Sequence, residues 1–234
     1  MNLELFKQQA TSINHHFDSL SIVHAEGAFY ITGTITIVDQ KGSLWHTYSI
    51  EIHASKQFPY MFPIVFEIGG MIPRIADWHI NIDGSCCLDN EFSQQIKCSK
   101  GLSLDEFISK ELIPWLANQS YRRLTGHYIN GEQGHGDIGR IEFFMRELAA
   151  PNLLTCVEWL LILASNKFPP RQANCFCNSG YKWRNCHKSR FEKLAQIPSP
   201  SLYWAIDKFL SYLKEGDLML RELQKHTNVN IIQH

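Results

Sequence analysis

The sequence predicts an α+β protein, and three observations carry that reading. Two runs, "AFYITGTITIV" (28–38) and "LWHTYSIEIHA" (44–54), are rich in β-branched and aromatic residues and flank the turn "DQKGS". A third such run, "IVFEIGG" (64–70), follows a proline-bearing connection. Apolar residues at helical spacing precede these strands and dominate the chain after residue 103. The expected order is an N-terminal helix, an antiparallel meander, then helices. With 234 residues, 44% of them hydrophobic, the chain can bury one good core plus a satellite, or two modest domains.

Residues 1–20 place Leu3, Leu5, Phe6, Ala10 and Ile13 on one helical stripe, which Asp18 and Ser19 close. Between the second and third strands, "SKQFPYMFP" reads as an extended connection, because Pro59 and Pro63 cannot donate to a ladder. Residues 71–101 show little periodicity and many turn formers. A loop of that length inside a compact domain is functional or disordered, and its Trp, Ile, Cys and Leu favour an ordered, functional one. "SLDEFISKELIPWLANQ" is a helix opened by a capping box, Ser103 with Glu106 three residues on, and Pro114 is expected to kink it.

"SYRRLTGHYINGEQGHG" reads as a glycine-rich connector, after which Asp137 is expected to cap the helix "IGRIEFFMRELA". Pro151 opens "NLLTCVEWLLILASNKF", whose nearly continuous apolar residues suggest burial on most sides. "PPRQANCFCNSGYKWRNCHKSR" is a compact irregular unit, and "IPSPS" starts the last long helix. Its stripe of Leu202, Ile206, Phe209 and Leu210 suits core or an oligomer seam, which leaves a homodimer open. These features divide the chain into 1–150, with the strands and the long loop, and a helical region 151–234.

Twenty-two basic residues against 23 acidic ones argue against a general nucleic-acid or lipid binder. The start, "MNLELFKQQA", has no basic n-region or apolar h-region of a secretory signal, and "VEWLLILA" is too short to cross a bilayer. A soluble, cytoplasmic protein is the expectation, with neither membrane nor direct nucleic-acid partner. Seven cysteines, three of them crowded at 175, 177 and 186, do not form the even spacing of a secreted disulfide scaffold. Reduced thiols with specific tasks fit better.

"CFCNSGYKWRNCH" sets Cys175 and Cys177 as C-x-C, then eight residues, then Cys186 and His187. Two close pairs of soft ligands separated by a turn can wrap one tetrahedral zinc. "NSG" supplies the turn, and Lys182 and Arg184 would offset the excess thiolate charge. The segment (about 171–192) resembles the SEC-C motif, a small zinc-binding module, with Asn178, Ser179, Gly180 and Lys182 at its recurrent positions. Four protein ligands leave no open position, so the expected zinc is structural.

"WHINIDGSCCL" (78–88) poses a different question, since Cys86 and Cys87 have no partner pair nearby. Neighbouring cysteines rarely bridge, and His79 alone makes a poor metal site. Packing or a nucleophile remain. A nucleophile in acyl transfer needs a reachable sulfur, a donor for the oxyanion and a rigid loop. Asn81 offers the donor and Gly84 a close approach of backbone to substrate. Without an evident His–Asp pair, a nucleophile here would be one that accepts an already activated acyl group, with packing still open.

"FPYMFPIVFEI" and "WHINIDGSCCLD" together resemble the core of ubiquitin-conjugating enzymes. Tyr60, Pro63, Val65 and Phe66 match the aromatic-proline entry and its strand; His79, Asn81 and Ile82 match the His-Pro-Asn-Ile element. Gly84, Cys87, Leu88 and Asp89 match the segment bearing the family's catalytic cysteine. The resemblance spans roughly residues 1–150 and implies that fold. It makes Cys87 the thioester-forming residue, Asn81 the oxyanion-stabilising amide and His79 a structural imidazole. Cys86 stands where an apolar residue precedes the cysteine, and reads as packing. Ile80 replaces the family's proline, the Asn-to-Cys stretch is two residues shorter than usual, and the tryptophan-containing run after the cysteine is missing. These departures resemble bacterial relatives encoded in antiphage operons, which carry a stretch like "GHYINGEQGHGDIG".

What the resemblance implies is transthiolation. Cys87 takes the C-terminal glycine of a partner protein and an amine then attacks the thioester. The bacterial likeness further implies cyclic-oligonucleotide antiphage defence (CBASS), with a cGAS/DncV-like nucleotidyltransferase as the conjugated partner. No glycine-rich nucleotide loop follows a strand, so activation is expected from another protein or from the substrate itself. His127 and His135 flank the glycine-rich stretch, and Asp83 and Asp89 are candidates to deprotonate an incoming lysine. Two rival classes stay open: a non-catalytic adaptor of the same fold, and a thiol hydrolase, which needs a histidine base near Cys87.

Overall fold

The computed structural model describes residues 3–25, 27–129, 131 and 134–227, the last of these from 217 on by backbone course alone. The chain forms two compact units, 1–135 and 136–234. The division falls earlier than the expected boundary at 150, because the helix at 136–148 packs on the helices that follow it.

In the first unit, α1 (Leu3–Ala10) buries Phe6 and Ala10. An antiparallel sheet follows in the order β1 (Leu20–Ala25), β2 (Ala28–Val38), β3 (Leu44–His53) and β4 (Ile64–Glu67). β2, β3 and β4 occupy the three expected runs. β1 was not expected: six residues long, it is too short for its alternation to stand out beside the N-terminal helix. Its pairing depends on Gly33, opposite Leu20 at φ +149°, where a Cβ would sit 2.0 Å from the Ser19 carbonyl oxygen. Period-2 alternation sends Ile31, Ile35, Ile37, Tyr48, Ile50, Ile52 and Val65 into one buried face.

α3 (Leu104–Phe107), a π turn (Ile108–Leu112) and α4 (Ile113–Thr125) supply the other wall of this core through Leu104, Phe107, Ile108, Leu112 and Leu116. Ser103 caps α3 as the capping box requires, accepting from the Glu106 backbone N–H at 3.2 Å. The distortion expected at Pro114 takes the form of the π turn just upstream. Proline brings no N–H for the preceding turn, and a wider turn accommodates that loss and the ring. α4 continues through "SYRRLT" and stops at Gly126, φ +86°, so these residues are helix rather than connector. α2 (Glu91–Lys97) interrupts the expected long loop; Asn90 caps it, accepting from the N–H groups of Phe92 and Ser93.

The second unit holds α5 (Gly136–Leu148), α6 (Leu153–Ala164), α7 (Lys188–Leu194) and α8 (Ser199–Thr227), with α6 packed along α8. Asp137 does not precede α5 but lies in its first turn, where its carboxylate takes Arg140 and the Tyr212 hydroxyl. α6 buries Cys156, Val157, Trp159, Leu160 and Leu163 yet exposes Leu154 and Leu161, so one side meets solvent. On α8, Leu202, Ala205, Ile206 and Phe209 are buried and Leu210 is exposed. No single described helix is long and apolar enough to cross a membrane.

One polar contact inside the apolar core joins sheet to helix: Tyr48 OH lies 2.9 Å from Ser120 Oγ, both residues fully buried. Tyr48→Phe strands the Ser120 hydroxyl and is expected to cost about 1–3 kcal/mol in urea unfolding. Adding Ser120→Ala removes the stranded group, and the double variant should recover part of that loss rather than add to it.

Candidate functional site

After β4, the backbone of residues 71–89 has little ladder of its own. Residues 76–78 make one tight helical turn, and His79 leaves it in the left-handed conformation, φ +54°. Ile80 then pairs with Cys86, and Ser85 with Phe66 of β4. Asn81 N–H donates to the Ser85 carbonyl (2.8 Å), Gly84 N–H to that of Asn81 (2.9 Å) and Cys87 N–H to that of His79 (2.8 Å). The stretch from Asn81 to Cys87 is therefore a tight hairpin, with Gly84 at φ +85° completing its turn. Register puts Cys87 opposite His79 and Asn81 opposite Ser85, while Ile80 and Cys86 turn into the core.

The adjacent cysteines thus sit on opposite faces of one extended strand, and no disulfide joins any of the seven. Cys86 is 8% exposed, and burial, against an opposing hydrogen bond with the Glu67 backbone, pushes its thiol up to about 12. Cys87 is half-buried. Asn81 directs its amide nitrogen to Ser85 Oγ at 3.0 Å, and Ser85 in turn donates to Asp83 from Oγ (2.6 Å) and from its backbone N–H (2.9 Å). Those bonds hold the Asp83 carboxyl below its ordinary range. Asp89 is committed to Ser93, to the Asn90 N–H and to Lys97, which also pairs with Glu111. Beside the turn lies an open groove of about 430 Å³, lined by Arg74, Ile75, Ile80, Asn81, Ile82 and Gly84.

Helix α4 supplies the donors that the loop lacks. Trp115 Nε1–H reaches the Cys87 carbonyl oxygen at 3.1 Å, and Gln119, 1% exposed, donates to that of Trp78 at 3.3 Å. Arg122 donates to the Asp77 carbonyl and lies 4.5 Å over the Trp78 ring and 4.6 Å over that of Tyr128. Arg123 donates to the Met71 carbonyl. Positions 115, 119 and 122 share one helical face. That spacing was present in the sequence, but only the fold shows what the face meets.

His79 packs against His135 (ring centroids 4.5 Å apart) and Tyr128 (5.1 Å). Burial first, then repulsion from His135 and Arg122, brings its pKa down to about 4, so the ring is neutral at neutral pH. His127 lies at the end of α4, Nδ1 3.2 Å from the Thr125 carbonyl oxygen. Of the stretch between the two histidines, positions 130, 132 and 133 lie outside the described residues.

In the second unit, a short hairpin pairs Asn174 with Lys182 and turns through Asn178 (φ +59°) and Gly180 (φ +80°). It presents Cys175 and Cys177, while Cys186 and His187 precede α7. The four ligand atoms lie within 4.8 Å of one another: Cys175 Sγ to His187 Nδ1 is 3.3 Å, Cys186 Sγ to His187 Nδ1 is 3.1 Å and Cys177 Sγ to Cys186 Sγ is 3.5 Å. The edges of a tetrahedron with ordinary zinc bond lengths are about 3.5–3.8 Å, so this group could hold a metal ion after small shifts. Burial pushes Cys175 up to about 11; at Cys177 the contacts from Ser179, Cys175 and Cys186 outweigh burial and bring it to about 7. Lys182, expected to balance the thiolates, donates to Asn174 Oδ1 at 2.9 Å.

Comparison with protein-family models and with curated proteins finds no match for this chain.

Two outcomes follow from the contrast in thiol environments and from the buried imidazole. Iodoacetamide near pH 8 should alkylate Cys87 well before Cys86, Cys98 or Cys156, the last three all pushed up to about 12, as read by peptide mass spectrometry on the intact fold. Earlier labelling of Cys86 would contradict the strand geometry. The His79 pKa is lower in the folded than in the unfolded chain, so its contribution is complete above 6.5 and is lost as pH falls toward 4. His79→Asn, which tolerates the left-handed backbone, should flatten the stability-against-pH curve in that window.

Proposed function

We propose that the chain is a ubiquitin-conjugating-like transferase, in which Cys87 carries the C-terminal glycine of a partner protein as a thioester and passes it to an amine. The observation that carries this reading is the anchored backbone at Cys87: its N–H is bonded to His79, its carbonyl to Trp115, and its neighbour Cys86 is locked in the core. A thiol on so constrained a strand meets the rigidity that acyl transfer demands.

In the first step the Cys87 thiolate attacks an activated C-terminal carbonyl; a C–S bond forms and the activating group leaves. In the second, an amine attacks the same carbon, the C–N bond forms, the C–S bond breaks, and the amine's proton passes to solvent. Both steps place negative charge on the carbonyl oxygen. Asn81 spends one amide hydrogen on Ser85, and its other would stabilise that oxyanion by an amount of order 3 kcal/mol. Activation of the carboxyl is assigned to another protein. The partner class is a cGAS/DncV-like nucleotidyltransferase of a CBASS system, an assignment that rests on the sequence resemblance. Zinc at Cys175, Cys177, Cys186 and His187 would be structural, since four protein ligands fill its tetrahedron.

A thiol hydrolase would need His79 as its base, because His79 is the imidazole opposite Cys87. A ring brought to about 4 is a weak base at neutral pH, which favours bracing over proton transfer.

The test is adduct formation with the partner on non-reducing gels. Cys87→Ala should abolish the reductant-sensitive adduct, Cys86→Ala should keep it, and Asn81→Ala should slow transfer about 100-fold. An adduct that survives Cys87→Ala, or the lack of any adduct, would leave the adaptor reading in place. Separately, elemental analysis should find bound zinc in the wild-type chain and little after Cys175→Ser.

A further inference from the structure

We infer that the metal-ligand hairpin of the second unit is a docking surface for single-stranded nucleic acid. The overall charge of -1 conceals an uneven distribution. Between Lys167 and Lys193 there are seven Lys and Arg residues and one acidic residue, Glu192, so the rest of the chain carries 15 basic residues against 22 acidic ones. Three of the seven cations are used inside the unit. Lys193 pairs with Glu147 (2.6 Å), Lys188 pairs with Glu192 (2.5 Å), and Arg190 donates to the carbonyls of Arg146 and Glu147.

The other four, Lys167, Arg171, Lys182 and Arg184, are exposed, and no carboxylate pairs with any of them among the described residues. All four lie on or next to the hairpin in sequence. Trp183 N–H donates to the Ala173 carbonyl (2.9 Å) and Lys182 stands opposite Asn174, so the strand that follows Arg171 is paired with the strand that bears Lys182 and leads to Arg184. Phe168 stacks on Trp183, rings 6.3 Å apart and 23° from parallel, which ties the segment after Lys167 to the hairpin. A divalent ion with three thiolates adds only one negative charge, and the surface stays positive.

Tyr181 distinguishes this surface from a plain basic patch. Phe168, Phe176, Trp183 and Phe191 pack on one another at 5.1–6.3 Å. Tyr181 is 66% exposed and joins none of those pairs. An open ring beside a turn, followed by Lys182 and Arg184, matches what a single strand needs: a face for one base and cations for its phosphates. A duplex would keep its bases from the ring, and an acidic peptide would need the cations but no stacking face.

The test uses the full zinc-loaded chain and a fluorescein-labelled 15-nucleotide oligouridine, read by fluorescence anisotropy from 50 to 200 mM KCl. Binding is expected, with log K falling against log salt at a slope of about -2 to -3 for three or four phosphate contacts. Tyr181→Ala should weaken binding about 5- to 100-fold with little change in slope, and Tyr181→Phe should retain it. Arg171→Ala with Arg184→Ala should lower the slope by about one unit or more. Unchanged zinc content shows that each variant keeps its hairpin. No binding at 50 mM KCl, or wild-type affinity in Tyr181→Ala, would overturn the inference. So would polyglutamate of equal length competing as well as the oligonucleotide, a result that would give the surface to an acidic protein instead.

Discussion

The candidate thiol depends on donors from one face of α4. The loop between Met71 and Asp89 exposes backbone carbonyls that no neighbouring strand covers, and an unpaired buried carbonyl is costly. Trp115, Gln119, Arg122 and Arg123 satisfy those of Cys87, Trp78, Asp77 and Met71. The same helix gives the core Leu116 and Ser120, both fully buried. One helix thus serves two masters, and its rotation about its own axis decides whether both are met. Each residue advances an α-helix by about 100°. The π turn at Ile108–Leu112 holds one extra residue in its loop, so it sets the rotation at which Leu116 faces the sheet and Trp115 faces Cys87. Pro114, which makes that wide turn favourable, acts on the thiol from a distance.

Legibility from sequence followed the range of the interaction. β2 and β3 were readable because ten or so residues rich in β-branched and aromatic side chains, partly alternating and joined by a turn, have no helical counterpart. β1 and α2 were not, being six and seven residues long, although Asn90 ahead of Glu91 was a usable cap signal. The crowded Cys175, Cys177, Cys186 and His187 could be recognised as one group because a single hairpin joins them. The reading of Cys86 as packing came from its place in the resemblance, and its 8% exposure agrees with it. Trp115 was not, since its partner is 28 residues away and only the packing of α4 on the loop brings them together. Asn81's bond to Ser85 was not legible, because it depends on a hairpin whose two arms are too short to show alternation.

The cysteines show how far environment separates identical side chains. Cys86, Cys98 and Cys156 are raised to about 12, desolvation being the main cause, and act as small apolar residues. Cys177 is brought to about 7 by neighbours only a few residues away in sequence. Composition alone gave both groups the same standing. Net charge misleads in the same way: near-balance over 234 residues coexists with a run of seven cations and one anion around the hairpin.

That hairpin is held from below by aromatic rings rather than by a sheet. Trp159 meets His187 edge-on at 4.7 Å, and Phe176 lies 5.2 Å from Trp159 and from Trp183 and 5.3 Å from Phe191. His187 Nδ1 turns toward the sulfurs, while Nε2 is buried and makes no well-formed hydrogen bond; burial first, then Arg190, lowers the ring's pKa against a weak opposing effect of the Leu148 backbone. A neutral imidazole is the form that ligates a metal. Three thiols and this ring, gathered within 4.8 Å, gain little from one another without an ion, since sulfur is a poor hydrogen-bonding group. An ion at their centre would tie the hairpin to the start of α7 and hold the exposed cations in a fixed array. Metal and surface charge would then be parts of one device, the first supplying the rigidity that makes the second specific.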